Sequence, residues 1–496
     1  MINDKKYIEK KIARLREQQR PRVLDLFSGC GGLSLGFFNQ GFEMVANVEI
    51  NEVAAKTYAR NFHTNEPEER RNLFAKARDI TTLEPSDLLK EFYPGEDPKS
   101  LIDVIIGGPP CQAYTRVGRA KLREVAQHPE AFKQDPRGNL YLRYLSYVEA
   151  LQPLAIVMEN VPDVLNYGGH NIAEEMCEAL EELGYVCKYT ILNSVNYGVP
   201  QMRERMFLIA TIEDLKVEPS FPNPSHWIDI PRGYENARKV ALKTIEQLDD
   251  NTRFVSPPLP STALEPALTA EQALGDLPKI TNHLKGEMKK GAKRFTEVIP
   301  YPADVEVSDY AKVMRNWGHF KSTEGISDHV IRLLPRDYPI FKRMQPGDQY
   351  PQAYNVALEI LNEKIMRLKK DGENIMEDTP EYDELKAKIV PPYDASKFPN
   401  KWRKMEGDLP ARTLMAHLEK DGYSHIHYDS NQARTISVRE AARLQSFPDA
   451  FKFEGTMNPA FRQIGNAVPP MMASAIAINL KKILDFHLRG ANNFEY

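Results

Sequence analysis

Cysteine is scarce, with four in 496 residues, at positions 30, 111, 177 and 187. Four scattered thiols make no disulfide framework, and their spacing matches no zinc pattern, so no metal site is expected. A reducing, cytoplasmic setting is the natural one. Long apolar runs are missing as well. No stretch reaches the roughly 18 apolar residues that a membrane-spanning helix needs, so no membrane partner is expected. Residues 1–20 are charged throughout and lack the apolar core of a signal peptide; they read as a solvated helix. Neither sign of charge is in excess: 65 Lys and Arg against 69 Asp and Glu leave a formal net charge of -4. Any nucleic-acid surface must therefore be local. Internal repeats and low-complexity tracts are also lacking.

The length allows two or three domains with proper cores. Apolar content of 42% and charged content of 27% are those of a soluble globular protein. The stretch that organises the rest is Gly107-Gly108-Pro109-Pro110-Cys111-Gln112. The apolar run Asp103–Ile106 before it reads as a buried strand, which two glycines and two prolines stop abruptly. A stiff prolyl pair holds the next side chain, Cys111, in a fixed direction. A cysteine just past the carboxyl end of a strand sits where open α/β sheets place their ligands.

Other stretches lead to the same edge. Arg22–Phe27 reads as a strand, Ser28-Gly29-Cys30-Gly31-Gly32 as a glycine turn, and Leu33–Asn39 as a helix. The spacing is not that of a dinucleotide fingerprint and no Walker lysine follows, which favours a nucleoside without phosphates. The strand Phe42–Val48 ends at Glu49, a carboxylate suited to ribose hydroxyls. Asp79-Ile80 offers an acid and an aliphatic face to an adenine. After Cys111, the polar stretch Tyr114–Gly138 reads as a loop able to close over a polyanion. Asn139–Leu151 has helical periodicity. The strand Ala155–Met158 delivers Glu159-Asn160-Val161, and a partly desolvated glutamate there suits a ring nitrogen. In Gln201–Arg205, Arg203 and Arg205 stand at i and i+2 of an extended segment and point the same way.

After about residue 212 the alternation of strand and helix is lost. Prolines cluster between Pro219 and Pro278. Basic stretches at 285–294 and 332–343, with aromatics nearby, suggest a second domain with a nucleic-acid surface. Residues 359–388 read as a charged helical insertion. Ser437 and Glu440 form a capping box that opens a helix to Gln445. Gly465-Asn466 precedes a long C-terminal helix reaching about His487.

Taken together, these motifs resemble the DNA cytosine-5 methyltransferases of bacterial restriction-modification type. Asp25–Gly32 resembles the cofactor loop, Gly108–Gln112 the catalytic Pro-Cys-Gln motif, and Glu159-Asn160-Val161 the Glu-Asn-Val motif. Gln201–Arg205 resembles the Gln-x-Arg-x-Arg motif, Arg434–Pro448 the helix that supports the recognition domain, and Gly465-Asn466 the closing cofactor motif. The resemblance implies an α/β, Rossmann-like catalytic domain with a smaller, irregular target-recognition domain. Residues 21–211 would form the first part of the catalytic domain, 212–433 the recognition domain with insertions, and 434–496 the return to the catalytic domain. It implies S-adenosylmethionine as methyl donor, held by Phe27, Ser28, Gly29, Cys30, Gly31, Gly32, Glu49, Asp79, Ile80, Pro110 and Asn466. It implies Cys111, Glu159, Arg203 and Arg205 as the catalytic group, and double-stranded DNA as partner. A cognate restriction endonuclease acting on the same site, and a monomeric state, are further expectations.

Carbon 5 of cytosine is a poor nucleophile. A thiolate added at carbon 6 turns the ring into an enamine that attacks a methyl sulfonium, splitting one hard step into easier ones. A protonated Glu159 would donate to N3, Arg205 would hold the base's carbonyl, and Arg203 would support the site. The base must leave the duplex to be reached, and Gln112 is a candidate for filling the vacated space. The alternatives are an RNA cytosine-5 methyltransferase on the same scaffold, a catalytically dead DNA-binding regulator, and a dinucleotide-dependent oxidoreductase. Against the first, this chain lacks the Cys-Phe-Thr stretch of the tRNA-acting branch; the second would need loss of Cys111, Glu159 or an arginine; and against the third stand this chain's glycine spacing and its Pro-Pro-Cys-Gln motif.

Overall fold

The apolar runs form a six-stranded sheet in a computed structural model that describes residues 4–110, 140–231, 235–243, 245, 252–288 and 297–488. Cys111 and Gln112 lie outside the described residues. The strands are β1 (Arg22–Leu26), β2 (Glu43–Val48), β3 (Val104–Gly107), β4 (Ala155–Asn160), β5 (Tyr185–Asn193) and β7 (Glu204–Ile212); β6 (Gln201–Met202) is a two-residue strand just ahead of β7. The sheet order is β2-β1-β3-β4-β7-β5. The first four strands run parallel, and β7 runs antiparallel to both β4 and β5. Their near-continuous apolar character follows, because a parallel sheet is covered on both faces.

Register decides what this sheet presents. Leu26 pairs with Val48 on one side and with Gly107 on the other, and Gly107 pairs with Met158. Phe27, Glu49 and Gly108 therefore leave the sheet along one edge, and Glu159 stands at the same edge one residue before the end of β4. Strand β7 enters from the opposite direction, with Met206 opposite Asn160 and Phe207 opposite Glu159. The reversal brings Arg205 to the edge where β4 ends.

Contacts divide the chain into two compact units. One holds residues 1–267 and 467–496, the other 268–466. These boundaries fall later than the changes of role expected at 212 and 434. Segment 252–255 is held in the first unit by the backbone bonds Tyr189 N–Arg253 O (3.1 Å) and Val255 N–Tyr189 O (2.9 Å), which cover the free edge of β5. In the first unit, the helices Gly32–Asn39 and Pro470–Leu488 meet closely. A Cβ built on Gly36 would lie 2.4 Å from the Ala473 backbone, and one on Gly32 would lie 2.4 Å from the Val468 carbonyl oxygen. Neither backbone can retreat cheaply. Gly32→Ala is expected to cost about 1–3 kcal/mol through overpacking. Thermal unfolding should show a Tm lowered by several degrees; an unchanged Tm would mean that the contact is slack.

Residues 5–16 correct one expectation. The helix Lys5–Arg16 forms, but it is anchored rather than solvated: Ile8, Lys11 and Leu15 are buried. The Lys11 ammonium donates to the carbonyls of Leu151 (2.7 Å) and Gln152 (2.8 Å), and Arg14 pairs with buried Asp103. These carbonyls end the helix Leu140–Leu151, where a cation offsets the negative end of the helix dipole. A charge count alone missed the apolar i, i+7 stripe of Ile8 and Leu15.

In the second unit, the charged stretch 359–388 lies on two helices, Tyr350–Lys370 and Pro380–Ile389. The first is no loose insertion. Tyr350, Ala353, Ala357 and Leu361 make a buried stripe in a core with Phe341, Trp402 and Tyr423. The capping box opens the helix Val438–Leu444 as its sequence requires: the Ser437 hydroxyl accepts from the Glu440 N–H (3.1 Å) and Glu440 accepts from the Ser437 N–H (2.7 Å). Inside this helix, Arg443 is fully buried between Asp276 (2.9 Å) and Asp449 (2.6 Å). A buried guanidinium persists only when carboxylates and carbonyls neutralise it this fully.

Candidate active site

Strand β1 ends in a strained residue. Phe27 has φ +61°, a left-handed conformation that an aromatic residue holds only where its surroundings impose it. The Ser28 N–H bonds to the Val48 carbonyl (3.1 Å), tying the glycine turn to the end of β2. Gly29 has φ +53° and no heavy atom within 4 Å of where a Cβ would stand, so its outer side is open. Gly31 has φ +90°, and a Cβ there would lie 2.3 Å from the Phe62 ring. One glycine thus supplies an open approach and the other a close internal packing.

Glu49 follows β2 and closes the turn. Its carboxylate accepts the Gly29 N–H (2.8 Å) and the Asn51 N–H (2.7 Å). Burial pushes this carboxyl up, against the pull of those backbone donors. The Glu49 carbonyl accepts the Arg78 N–H (2.7 Å), which sets Asp79 and Ile80 beside it. Asp79 is exposed and its carboxylate accepts from the Thr81 N–H (2.9 Å) and hydroxyl (2.7 Å), while Ile80 is buried. Cys30 is buried inside the turn, and burial pushes its thiol up to about 12. Beneath the turn, Asp25 accepts from the Ser34 hydroxyl (2.5 Å), and burial pushes Asp25 up to about 8.

The second cluster lies where β3 and β4 end. Glu159 pairs with Arg205 at 2.9 Å, each side chain about one-eighth exposed at 12%. A Cβ on Gly108 would lie 2.9 Å from Glu159 Oε2, so only glycine lets the carboxylate stand against the turn that leads to Cys111. Burial pushes the Glu159 carboxyl up, against the opposing pull of Arg205 and Arg203. Arg203 is buried; its N–H donates to Asn193 Oδ1 (3.1 Å) and its carbonyl accepts the Ser194 N–H (2.9 Å). Both arginines act on the same carboxylate. Pro110 is exposed at the last described position before 111.

Some working residues were not singled out by sequence reasoning. Asn160 Nδ2 donates to the Pro109 carbonyl (2.7 Å), pinning the prolyl turn to β4, and Asn160 Oδ1 accepts the Val161 N–H (2.8 Å). Its motif was visible but its clamp was not, because the partner is a backbone carbonyl 51 positions away. At the other end of the chain, Asn466 is exposed and ends the helix Met457–Asn466 in the second unit. The residues right after it, Ala467 and Val468, stand against Gly32 in the first.

A mainly parallel α/β sheet with a glycine turn, a strand-end acid and a glutamate–arginine pair on one carboxyl edge is a Rossmann-like methyltransferase domain. A crystal structure described as a DNA modification methyltransferase encoded within an E. coli prophage shares this fold. Its TM-score is 0.56 at 22% identity, covering 94% of this chain and 99% of that one. The profile of the C-5 cytosine-specific DNA methylases matches residues 21–482, and the chain belongs to that family. It is similar to M.OihORF3336P of Oceanobacillus iheyensis, named as a type II methyltransferase, at 38% identity over 94% of this chain and 96% of the relative. It is also similar to the type II methyltransferase M.AgeI of Thalassovita gelatinovora, at 29% identity over 93% of this chain and 99% of the relative. The protein is a DNA cytosine-5 methyltransferase, and the RNA-directed alternative is not favoured. Among the described residues, no helix is long and apolar enough to cross a membrane.

Proposed function

We propose that the protein methylates carbon 5 of a flipped-out cytosine in a specific duplex sequence, through a covalent bond from Cys111 to carbon 6. The observation that carries this reading is the largely shielded Glu159–Arg205 pair beside Gly108, three residues before Cys111. S-adenosylmethionine fits the glycine turn: the open side of Gly29 admits a ligand to the backbone, and no phosphate-binding lysine stands in the turn. Phe27 to Gly32, Glu49, Asp79, Ile80, Pro110 and Asn466 are the residues proposed to hold it. When bound, it supplies a methyl group on a positively charged sulfonium.

The chain's own groups then have separable tasks. A thiol with pKa ~8.5 is only a few per cent thiolate near pH ~7, so this role requires a setting for Cys111 that favours its anion, and a neighbouring arginine would supply it. Glu159, its carboxyl pushed up by burial, holds a proton to donate to N3 while the thiolate adds. Arg205 orients that carboxyl and holds the base's carbonyl, and Arg203 supports both. Gln112 fills the space the base vacates, at a flipping cost of a few kcal/mol. Cys30, Cys177 and Cys187 are all buried, which leaves Cys111 without a rival among the described cysteines.

We further propose a cytoplasmic monomer that protects DNA from a cognate restriction endonuclease, with sequence readout between about Ile212 and Arg434. Exchanging that segment with a relative's should transfer the methylated sequence with the chemistry intact. A chimera that folds, methylates and keeps the original site would refute the assignment. Bisulfite sequencing of DNA from expressing cells tests the function itself. Conversion-resistant cytosines at one recurring sequence are expected; uniform conversion, with tRNA methylated by the purified protein instead, would sink the DNA reading.

A further inference from the structure

The helix Leu140–Leu151 begins in the chain shortly after the Cys111 segment, and its first turn carries two buried polar side chains that the reaction scheme does not use. Tyr141 is 4% and Arg143 1% exposed. For packing alone, phenylalanine would fill the first position and methionine or leucine the second. A buried guanidinium is costly unless every face finds an acceptor, so both polar groups need a reason.

Their partners supply one. The Tyr141 hydroxyl accepts from Asn160 Nδ2 (2.5 Å) and donates to the Pro109 carbonyl (3.2 Å), which Asn160 Nδ2 also holds. Tyr141 thus completes a three-way clamp on the prolyl turn that leads to Cys111. Arg143 faces elsewhere, since residues two apart on a helix point about 200° from one another. Its Nε donates to the Ile80 carbonyl (2.9 Å), its Nη2 to the Leu83 carbonyl (2.5 Å), and its Nη1 pairs with Glu84 (3.3 Å). One turn further on, the Tyr147 hydroxyl donates to the same Leu83 carbonyl (2.9 Å). Arg143 thereby fastens the Asp79-Ile80 turn, whose other end hangs on Glu49 through Arg78.

We propose that this first helical turn is a bracket for both half-sites. Tyr141 is a positioning residue for the nucleophile turn, and Arg143 is a positioning residue for the cofactor turn. The two turns are 29 residues apart in sequence between Ile80 and Pro109. Each turn is also tied to its own strand end, and one rigid element gripping both fixes the separation of the methyl donor and the attacking ring further; misplacement of about 1 Å is enough to lose much of a rate. The inference rests on the reading of Cys111 as nucleophile and of Asp79-Ile80 as a cofactor contact.

The test is a split in steady-state kinetics with the full chain, S-adenosylmethionine and duplex DNA carrying the methylated site. Tyr141→Phe is expected to lower kcat about ten-fold, the worth of one buried hydrogen bond, with the cofactor KM unchanged. Arg143→Lys is expected to raise the cofactor KM about ten-fold on the same basis, with kcat at saturating cofactor largely kept. If both variants change the same parameter, or lose both in step with a lowered Tm, the residues are merely structural and the bracket is wrong. If neither changes anything, it is equally wrong. Should Arg143→Lys fail to fold, Tyr141→Phe alone decides its half of the bracket, and Arg143→Gln takes the other. Covalent trapping of the wild type on 5-fluorocytosine DNA is run alongside. Its absence would overturn the nucleophile reading, whereas trapping with no kinetic split overturns only the bracket.

Discussion

Cys111→Ser is expected to abolish turnover while cofactor and DNA binding survive. Electron supply to the ring decides the outcome. Carbon 5 of cytosine attacks a methyl group only after a nucleophile has added at carbon 6, and an alkoxide is not available from serine near neutral pH as a thiolate is from cysteine. The loss should reach several orders of magnitude, because the covalent route itself disappears rather than one hydrogen bond along it. DNA carrying 5-fluorocytosine should trap the wild type, since fluorine blocks the final loss of a proton from carbon 5, and the adduct should survive denaturation. Peptide mapping must then find the DNA on Cys111. The other cysteines are poor candidates: Cys30, Cys177 and Cys187 are buried, and burial pushes the thiols of Cys30 and Cys177 up. A trapped adduct on any of them, or turnover by the serine variant, would end the assignment.

Glu159→Gln is expected to cost roughly 10²–10⁴ in rate, the usual worth of general acid–base catalysis. Glutamine preserves the shape and still offers a donor, but it has no proton to give and take. The larger sign of the mechanism lies in pH dependence. Burial pushes the Glu159 carboxyl up, with Arg205 and Arg203 pulling the other way. Below that raised pKa the carboxyl is protonated and can donate to N3. As pH rises through it the proton is lost, and the rate should fall. Cys111 works in the opposite sense, being active only when deprotonated, so the wild-type profile should be bell-shaped. The alkaline limb should vanish in Glu159→Gln while the acid limb stays. Calorimetric titration with S-adenosylmethionine should show little change in affinity, because Glu159 belongs to the base side. Equal losses of rate and of cofactor affinity would make Glu159 a structural residue.

The strands show how much was legible in the chain itself. β1, β2, β3 and β4 are short, apolar and ended by glycine, proline or an acid, and each lies within a few residues of where pattern alone puts it. A strand buried on both faces is mostly apolar, so its composition announces it. The capping box at Ser437 was equally plain, since both partners lie within four residues. The charged stretch 359–388 was harder to read. Its charge is real, but the anchoring stripe from Tyr350 to Leu361 lies largely before it, and a core partner such as Trp402 is remote in sequence.

Sequence by itself determined the chemistry on offer: a cysteine behind two prolines, a Glu-Asn-Val strand end, an Arg-x-Arg pair and a glycine turn without a phosphate lysine. These are local patterns, written in adjacent residues. Only the tertiary structure decided which of them act together. Antiparallel entry of β7 brings Arg205 onto Glu159, 46 positions away, and register alone sets Gly108 beside that carboxylate. Asn160, Tyr141 and Arg143 emerged for the same reason: each bonds to a backbone carbonyl, and a carbonyl has no residue identity for a sequence pattern to carry. The N-terminal helix changed from solvated to anchored because the acceptors of Lys11 are the last carbonyls of a helix 140 residues further on. Side-chain chemistry is local to the chain, whereas position, burial and the proton a carboxyl keeps depend on neighbours that only folding supplies.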